Sequence, residues 1–169
     1  MKHDHYTRIL SLEVRYQRFG FVVLEVNPKR LLDSGVRTFA SAAGILKRLE
    51  PIVSIFDPDV IIVRCPGQRS LHHRNGVLSF IQIIRIESAR QLIPMESMTL
   101  DEVKCVFRAS GRTKEHIAAT IAQMFPELHW KLPPKRKPWI SEGYNMVIFD
   151  ATATGLAYMA RFDPKTESP

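Results

Sequence analysis

One carboxylate interrupts the first apolar stretch of the chain. Glu13 lies between Leu12 and Val14, at the end of a run rich in residues that favour β-strands. Burying a charged carboxylate is costly unless a cation, a metal ion or solvent meets it. Glu13 is therefore the first candidate functional residue, and the groups that converge on it decide which chemistry it can support.

Two basic stretches are candidates for contacting the phosphates of a nucleic acid. The first, residues 64–74, follows the apolar run Val60–Val63 and so lies where open α/β sheets place their sites. The second, residues 130–139, interleaves basic residues with Trp130 and Trp139, whose rings can stack on bases. The alternatives are a basic loop without a ligand and a basic linker whose tryptophans pack on the core. The basic candidates in the two stretches are Arg64, Arg69, Arg74, Lys131, Lys135, Arg136 and Lys137.

The composition is typical of one globular domain with a basic surface. Of the 169 residues 45% are hydrophobic, and we expect a single domain over residues 1–169 with frayed ends at 1–7 and 163–169. The net charge of +7 favours a polyanionic partner such as nucleic acid, an ordinary basic surface being the alternative. Cys65 and Cys105 are too few for a disulfide scaffold and lack metal-ligand spacing, which favours a reduced, cytoplasmic setting. No apolar run is long enough to predict a membrane span.

The apolar pattern predicts a sheet whose first three strands form an antiparallel meander. Ile9–Val14 and Phe19–Val26 are joined by a short polar link, and a third strand falls within Arg30–Phe39. Val60–Val63 is apolar throughout, as is typical of a central parallel strand buried on both faces. Leu92–Met95 is predicted as an edge strand, because its proline cannot donate a ladder hydrogen bond.

Five helices are predicted to connect and cover these strands. Ser41 caps the first helix, which we expect to break or kink at Pro51. Thr99 and Glu102 form a capping box at the start of another. The helices are predicted over residues 42–56, 75–89, 100–108, 114–125 and from 141 or 142 to 161. Because strands entered through helical crossovers are parallel, this order gives a mixed five-stranded sheet with helices on both faces.

Three local patterns carry a resemblance to a known family. The first strand ends in Glu13, and seven positions later Gly20 and Phe21 begin the second strand. Farther along, a Val-Lys pair precedes a glycine and a lysine that opens a helix, and two polar residues three positions apart begin the last helix. These later residues are Val103, Lys104, Gly111, Lys114, Glu142 and Asn145. In this order the patterns resemble the RuvC-type Holliday-junction resolvases of the ribonuclease H-like superfamily, over most of the chain.

The resemblance implies an α/β fold of ribonuclease H-like architecture. Its mixed five-stranded sheet would combine an antiparallel meander with two parallel strands, and helices would cover both faces. The resemblance also implies that Lys104 and Lys114 bind the DNA backbone, the alternative being two solvated lysines on helices. Members of the family act as homodimers, so a homodimer is a possible state of this chain as well.

The family's catalytic pattern is incomplete in this chain. Such nucleases place several carboxylates around two divalent metal ions, Mg²⁺ or Mn²⁺. The family pattern would put aspartates at positions 13, 142 and 145 and a glutamate at 64. The residues found at these positions are Glu13, Glu142, Asn145 and Arg64. Because an arginine cannot ligate a metal or lose its charge, we expect Arg64 to pair with Glu13 or Glu142 in the space of a metal ion. Asp150, about two helical turns beyond Glu142, is expected to lie too far away to complete a cluster.

These observations favour a catalytically degenerate relative of the resolvases that binds nucleic acid, DNA in the first place, without efficient cleavage and without a cofactor. One alternative is an active, structure-selective endonuclease in which Glu13 and Glu142 hold Mg²⁺ or Mn²⁺. Another is a non-catalytic interaction or assembly subunit whose basic surface meets an acidic protein. The sequence has no glycine-rich phosphate loop, nucleophile elbow or Cys/His zinc pattern that would indicate a different class of enzyme.

Overall fold

The computed structural model describes residues 7–66, 71–111, 113–137 and 139–162, with the backbone alone at 71–74. The predicted frayed ends, residues 1–7 and 163–169, lie outside the described residues except for Thr7. The N–H of Thr7 donates to Asp59 Oδ2 at 2.8 Å, which holds the start of the first strand in place. Within the described part of the chain, no helix has both the length and the apolar character needed to cross a membrane.

Five strands form one sheet with the architecture that the sequence predicts. They are β1 (Arg8–Arg15), β2 (Arg18–Glu25), β3 (Arg30–Thr38), β4 (Val60–Arg64) and β5 (Met95–Met98). The order across the sheet is β3-β2-β1-β4-β5. The first three strands pair antiparallel, whereas β4 pairs parallel with both β1 and β5. The predicted mixed sheet, an antiparallel meander with two further parallel strands, is therefore confirmed.

Helices cover both faces of this sheet. They are α1 (Ala42–Phe56), α2 (Leu71–Arg90), α3 (Leu100–Val106), α4 (Lys114–Met124) and α5 (Met146–Ala160), with 3₁₀ turns at Arg108–Ser110 and Pro126–Lys131. Because successive strand side chains point to opposite faces, Leu10 packs under α1 and α2 while Ile9 packs under α3, α4 and α5. Two apolar cores result, one on each side of the sheet.

Two helices differ from their predicted course. Helix α1 runs unbroken through Pro51, contrary to the predicted break. Ile45 before the proline and Ile52 after it are buried, and this packing against the sheet outweighs the missing hydrogen bond. Helix α2 begins at Leu71, so residues 71–74, predicted as loop, are helical. A polar stretch lacks an apolar period, but it can still extend a helix one hydrogen bond at a time.

The edge strand and one helix face were also misplaced. Strand β5 begins at Met95, three residues later than predicted, because Leu92 has a left-handed φ of 59° and the chain is still turning there. The apolar spacing of helix α4 predicts an inward face made of Ile117, Ala118, Ile121 and Met124, but Met124 is 45% exposed and Ala122 is buried instead.

The last helix begins at Met146 rather than at residue 141 or 142. Before it, Gly143 packs so tightly that a Cβ atom there would lie 2.8 Å from Cβ of Pro133. The residues that precede α5 are therefore pressed against another loop instead of forming a helical turn. Glu142 consequently belongs to this loop and not to the helix, which changes the geometry of the candidate site.

A glycine in β2 lets α5 approach the sheet closely. Gly20 is the register partner of Glu13, and a Cβ atom at Gly20 would lie 2.5 Å from the carbonyl carbon of Val147. Gly155 makes a similar approach from the helix, since a Cβ atom there would lie 2.9 Å from Leu24 Cδ1. The first turns of α5 are thereby brought beside the end of β1 that carries Glu13.

Candidate functional site

Glu13 lies beside Arg64 because their strands are parallel neighbours. Strands β1 and β4 are paired as far as Leu12 and Val63, and Glu13 and Arg64 follow directly. Glu13 is only 4% exposed, and its Oε1 accepts a hydrogen bond from Arg64 Nη2. Arg64 therefore pairs with one of the two carboxylates considered for it, and its side chain is directed inward.

Arg15 is a functional candidate that the sequence analysis missed. Its Nε lies 2.9 Å from Glu13 Oε1, and its Nη2 lies 2.7 Å from Asp150 Oδ2. Burial lowers the pKa of Arg15, but Glu13, Asp150 and Glu142 raise it by more, so the net shift is upward. The strand pattern could have predicted this contact, because residues 13 and 15 of one strand point to the same face of the sheet.

Asp150 joins these groups from helix α5, contrary to expectation. It is 7% exposed, and Lys114 Nζ lies 2.9 Å from its Oδ2 and 3.1 Å from Glu142 Oε1. Lys114 thus bridges the two carboxylates that were predicted to lie too far apart. The prediction was wrong because it measured their separation along one helix, whereas Glu142 lies on the loop that folds back before α5.

Asn145 does not begin a helix together with Glu142, as the family pattern would have it. It occupies the N-cap of α5, and its side chain makes no capping hydrogen bond. Helix α5 contributes one acid to the site, Asp150. The residue three positions later is the buried Ala153, which is not acidic. The pair of acids spaced three residues apart is therefore not reproduced on this helix.

Six side chains form what we call the charged cluster. They are Glu13, Arg15, Arg64, Lys114, Glu142 and Asp150. Burial raises the pKa of the Glu13 carboxyl above its ordinary value, and Arg64 and Arg15 lower it without cancelling that effect. Three carboxylates face three cations, so the cluster is neutral in formal charge when all six groups are ionised.

The charged cluster does not fit a pair of divalent metal ions. Among the described residues, no group of three or more His, Cys, Asp and Glu side chains is arranged to hold a metal. Glu13 Oε2 accepts no hydrogen bond from the described residues, so this one carboxylate oxygen is available to a ligand. Arg64, Arg15 and Lys114 nevertheless occupy the spaces between the carboxylates, where two-metal chemistry requires the ions.

The remaining basic candidates are distributed unevenly around the charged cluster. Lys104 is exposed and lines the same narrow crevice as Arg64, Lys114 and Asp150. Arg69 lies outside the described residues. Arg74 belongs to helix α2, and the structure describes its backbone alone.

The segment of residues 130–139 divides into anchoring and exposed side chains. Lys131 Nζ donates to the carbonyl and the hydroxyl of Ser34, both at 2.9 Å, and burial lowers the pKa of Lys131. Arg136 Nη1 donates to the carbonyl of Ile140, the residue that follows the segment, at 2.6 Å. In this structure both side chains are engaged within the protein, and their predicted contact with nucleic acid stays a prediction.

The two tryptophans of this segment are open to solvent. Trp130 is 78% exposed and Trp139 77% exposed, which contradicts the alternative that they pack on the core. Lys131 Nζ lies 5.2 Å from the ring centre of Trp130, and Lys137 Nζ lies 5.4 Å from that of Trp139. Lys135 and Lys137 are exposed as well. The segment therefore presents exposed aromatic rings and exposed lysines on one stretch of chain.

Three solved structures that share this fold are Holliday junction resolvases. Thermus thermophilus RuvC in complex with a Holliday junction substrate is 17% identical, with 93% of this chain and 96% of that chain covered and a TM-score of 0.69. The yeast mitochondrial Holliday junction resolvase Ydc2 is 10% identical over 90% of this chain and 78% of its own, with a TM-score of 0.63. The fowlpox virus resolvase with its substrate Holliday junction DNA is 11% identical over 90% and 99%, with a TM-score of 0.60.

These similarities establish the RuvC-type, ribonuclease H-like fold that the sequence patterns implied. No protein-family model and no curated protein sequence matches the chain.

Proposed function

We propose that the chain binds branched DNA, such as a four-way junction, and does not cut it by two-metal chemistry. The observation that carries this proposal is the ion pair between Arg64 and Glu13, at the sheet edge where the resolvase family would hold its metal ions. The RuvC-type fold and the net charge of +7 support the nucleic-acid part of the proposal.

The charges around Glu13 argue against a bound divalent ion. Two unit charges about 4 Å apart near a protein surface interact with roughly 4 kcal/mol, and a divalent ion doubles that repulsion for each neighbouring cation. Arg64 and Arg15 cannot relieve it by losing a proton, because a guanidinium stays charged at any ordinary pH. The carboxylates are instead neutralised by side chains of the protein, so the fold keeps its charge balance without metal.

The DNA contacts are assigned to exposed cations and aromatic rings. Lys135 and Lys137 are free to approach phosphates, and Trp130 and Trp139 offer ring faces for unpaired bases. Lys104 adds a further cation at the crevice beside the charged cluster. We also propose a homodimer, by resemblance to the resolvases. A cytoplasmic location is proposed because the two cysteines, Cys65 and Cys105, are free.

The proposal is tested by binding and cleavage assays on one set of substrates. A four-way DNA junction, a linear duplex of equal length and a structured RNA are compared by gel shift. The junction is then incubated with the protein in the presence of Mg²⁺ or Mn²⁺. We expect the junction to bind most tightly and to remain intact with either metal.

The outcomes separate the competing functions. Metal-dependent cleavage that disappears in Glu13→Gln would establish the active endonuclease. The convergence of Glu13, Glu142 and Asp150 is the one observation that favours this second candidate. Failure to bind any of the three nucleic acids would leave the interaction or assembly subunit, with an acidic protein as partner.

A further inference from the structure

A shallow depression of about 570 Å³ lies at the tip of the β1–β2 hairpin. Two tyrosines, Tyr16 and Tyr144, and two arginines, Arg18 and Arg48, contribute to its lining together with the buried Phe39. None of these residues belongs to the charged cluster or to the predicted nucleic-acid contacts.

The depression adjoins the charged cluster through the chain itself. Tyr16 directly follows Arg15, which pairs with Glu13. Tyr144 stands two residues after Glu142 on the loop before α5. Each tyrosine is thus one or two residues along the chain from a member of the cluster, and those two members, Arg15 Nη2 and Glu142 Oε1, are 3.6 Å apart.

Both tyrosines expose about half of their surface to solvent. Tyr16 is 57% exposed and Tyr144 52% exposed, while Arg18 covers one side of Tyr144 with its guanidinium carbon 5.3 Å from the ring centre. Arg48 is exposed on helix α1. The charged side chains among the described lining residues are these two arginines, so the depression is cationic as well as aromatic.

We propose that this depression holds one unpaired nucleotide of the bound DNA. Its base would lie against Tyr16 and Tyr144, and its phosphate would be met by Arg18 and Arg48. This inference rests on the proposed function and names a subsite of it. Aromatic rings combined with basic side chains are the arrangement by which proteins hold single-stranded nucleotides.

An unpaired nucleotide fits this surface better than a duplex does. The faces of bases in a duplex are covered by stacking, so exposed rings gain nothing from them. A branch point or a bulge offers a base whose faces are free. The phosphate of such a nucleotide also supplies the anion that Arg18 and Arg48 lack within the depression.

The test compares two four-way DNA junctions that differ by one base. The first carries a single unpaired adenosine at the branch point, and the second carries an abasic nucleotide there, so both have the same phosphates. We expect the intact protein to bind the first about tenfold more tightly, the scale of stacking on aromatic side chains. The double variant Tyr16→Ala/Tyr144→Ala should lose this preference, and Tyr16→Phe/Tyr144→Phe should retain it.

A matched pair of charge variants locates the phosphate. Arg48→Ala should weaken binding of both junctions equally, whereas Lys47→Ala, the adjacent exposed cation on α1, should leave it unchanged. Equal affinity of the wild type for the two junctions would overturn the subsite and leave junction binding standing. Binding of neither junction would overturn both proposals. A preference that persists in the double alanine variant, with circular dichroism showing an intact fold, would also overturn the subsite.

Discussion

Arg64 and Glu13 face each other at the carboxyl ends of two parallel strands, with Arg64 Nη2 donating to Glu13 Oε1. Only 13% of the Arg64 side chain and 5% of the Glu13 side chain is exposed. The contact follows from the strand register, because each residue stands one position beyond the paired Leu12 and Val63. A permanent positive charge is thus fixed next to the most buried carboxylate of the charged cluster.

Breaking this pair should destabilise the protein. Arg64→Met keeps most of the side-chain volume but leaves Glu13 with less compensation, and removing one partner of a buried pair typically costs about 3 kcal/mol or more. The free energy of unfolding from urea titration measures the loss. Adding Glu13→Gln to Arg64→Met should recover part of it, since the carboxylate is then no longer charged. Arg90→Met, which breaks an exposed pair with Glu87, should cost less than about 1 kcal/mol.

Replacing the arginine by an acid should create metal affinity. Arg64→Glu removes a cation and adds a carboxylate beside Glu13 and Asp150, which supplies the oxygen ligands that Mg²⁺ and Mn²⁺ prefer. Calorimetric titration with Mn²⁺ should show binding in the millimolar range or tighter for the variant and no binding for the wild type. Glu13→Gln in the Arg64→Glu background should abolish it. Equal Mn²⁺ binding by the wild type would contradict the interpretation of the charged cluster.

Part of the cluster followed from the sequence and part did not. Glu13 lies near the end of one strand and Arg64 ends another, both with a clear apolar pattern, so their strand register alone brings them together. Lys114 opens a helix whose cap, Thr113, is visible in the sequence. Asp150 was rejected because its distance from Glu142 was judged along a helix that begins only at Met146. Loop geometry of this kind depends on tertiary packing, which no local pattern encodes.

The fold was predicted more completely than its boundaries. Alternation and continuous apolar runs located β1 to β4, because burial on one or both faces leaves a direct trace in the sequence, whereas the predicted fifth strand meets β5 only at Met95. The start of α2 at Leu71 and the delay of β5 to Met95 were missed. The first lies in a polar stretch of sequence and the second in a turning one, and neither stretch carries an apolar period that would mark the boundary.

Enlarging Gly20 should displace helix α5. A Cβ atom there would lie 2.5 Å from the carbonyl carbon of Val147, and a backbone atom cannot turn aside as a side-chain end can. Gly20→Ala should therefore cost about 3 kcal/mol, near the upper end of overpacking effects. Gly76→Ala is the control: its nearest neighbour is Tyr16 Cδ2 at 3.6 Å, and alanine favours a helix by up to about 1 kcal/mol. Similar melting temperatures for the two variants would argue against the close approach.

The link between β1 and β4 should weaken in acid. Asp59 Oδ2 accepts from the hydroxyl and N–H of Thr7 and from the N–H of Arg8, each at 2.8 Å. Burial raises the pKa of Asp59, but these hydrogen bonds outweigh it and hold the pKa below the ordinary value of 3.8. The folded state therefore binds this proton less readily than the unfolded state. The stabilisation is complete above the unfolded pKa and is lost as pH falls through the folded one.

Asp59→Asn tests this link by removing the titration while keeping the shape. Urea unfolding should show a constant stability gap between wild type and variant above about pH 5, because the carboxylate is then ionised in both states. Below the ordinary pKa of 3.8 the gap should close. A gap that is independent of pH through this range would show that the charge of Asp59 does not hold the strand.

The salt dependence of DNA binding should identify which cations meet phosphates. Each phosphate contact steepens the plot of log affinity against log salt concentration by about 0.9 on duplex DNA, because a bound cation releases condensed counterions. If Lys135 and Lys137 each contact one phosphate, Lys135→Ala/Lys137→Ala should reduce the slope by about 1.8 on a four-way junction.

The control Lys29→Ala/Lys47→Ala removes the same charge. Lys29 stands in the turn between β2 and β3, at the opposite end of these strands from Glu13. This control variant should leave the slope unchanged if its two lysines do not contact phosphates. A general attraction by net charge would instead flatten the plots of both double variants alike. A slope that falls in both double variants would therefore reject residues 130–139 as the phosphate-binding segment. A slope that falls only in Lys135→Ala/Lys137→Ala would assign the phosphate contacts to these two lysines.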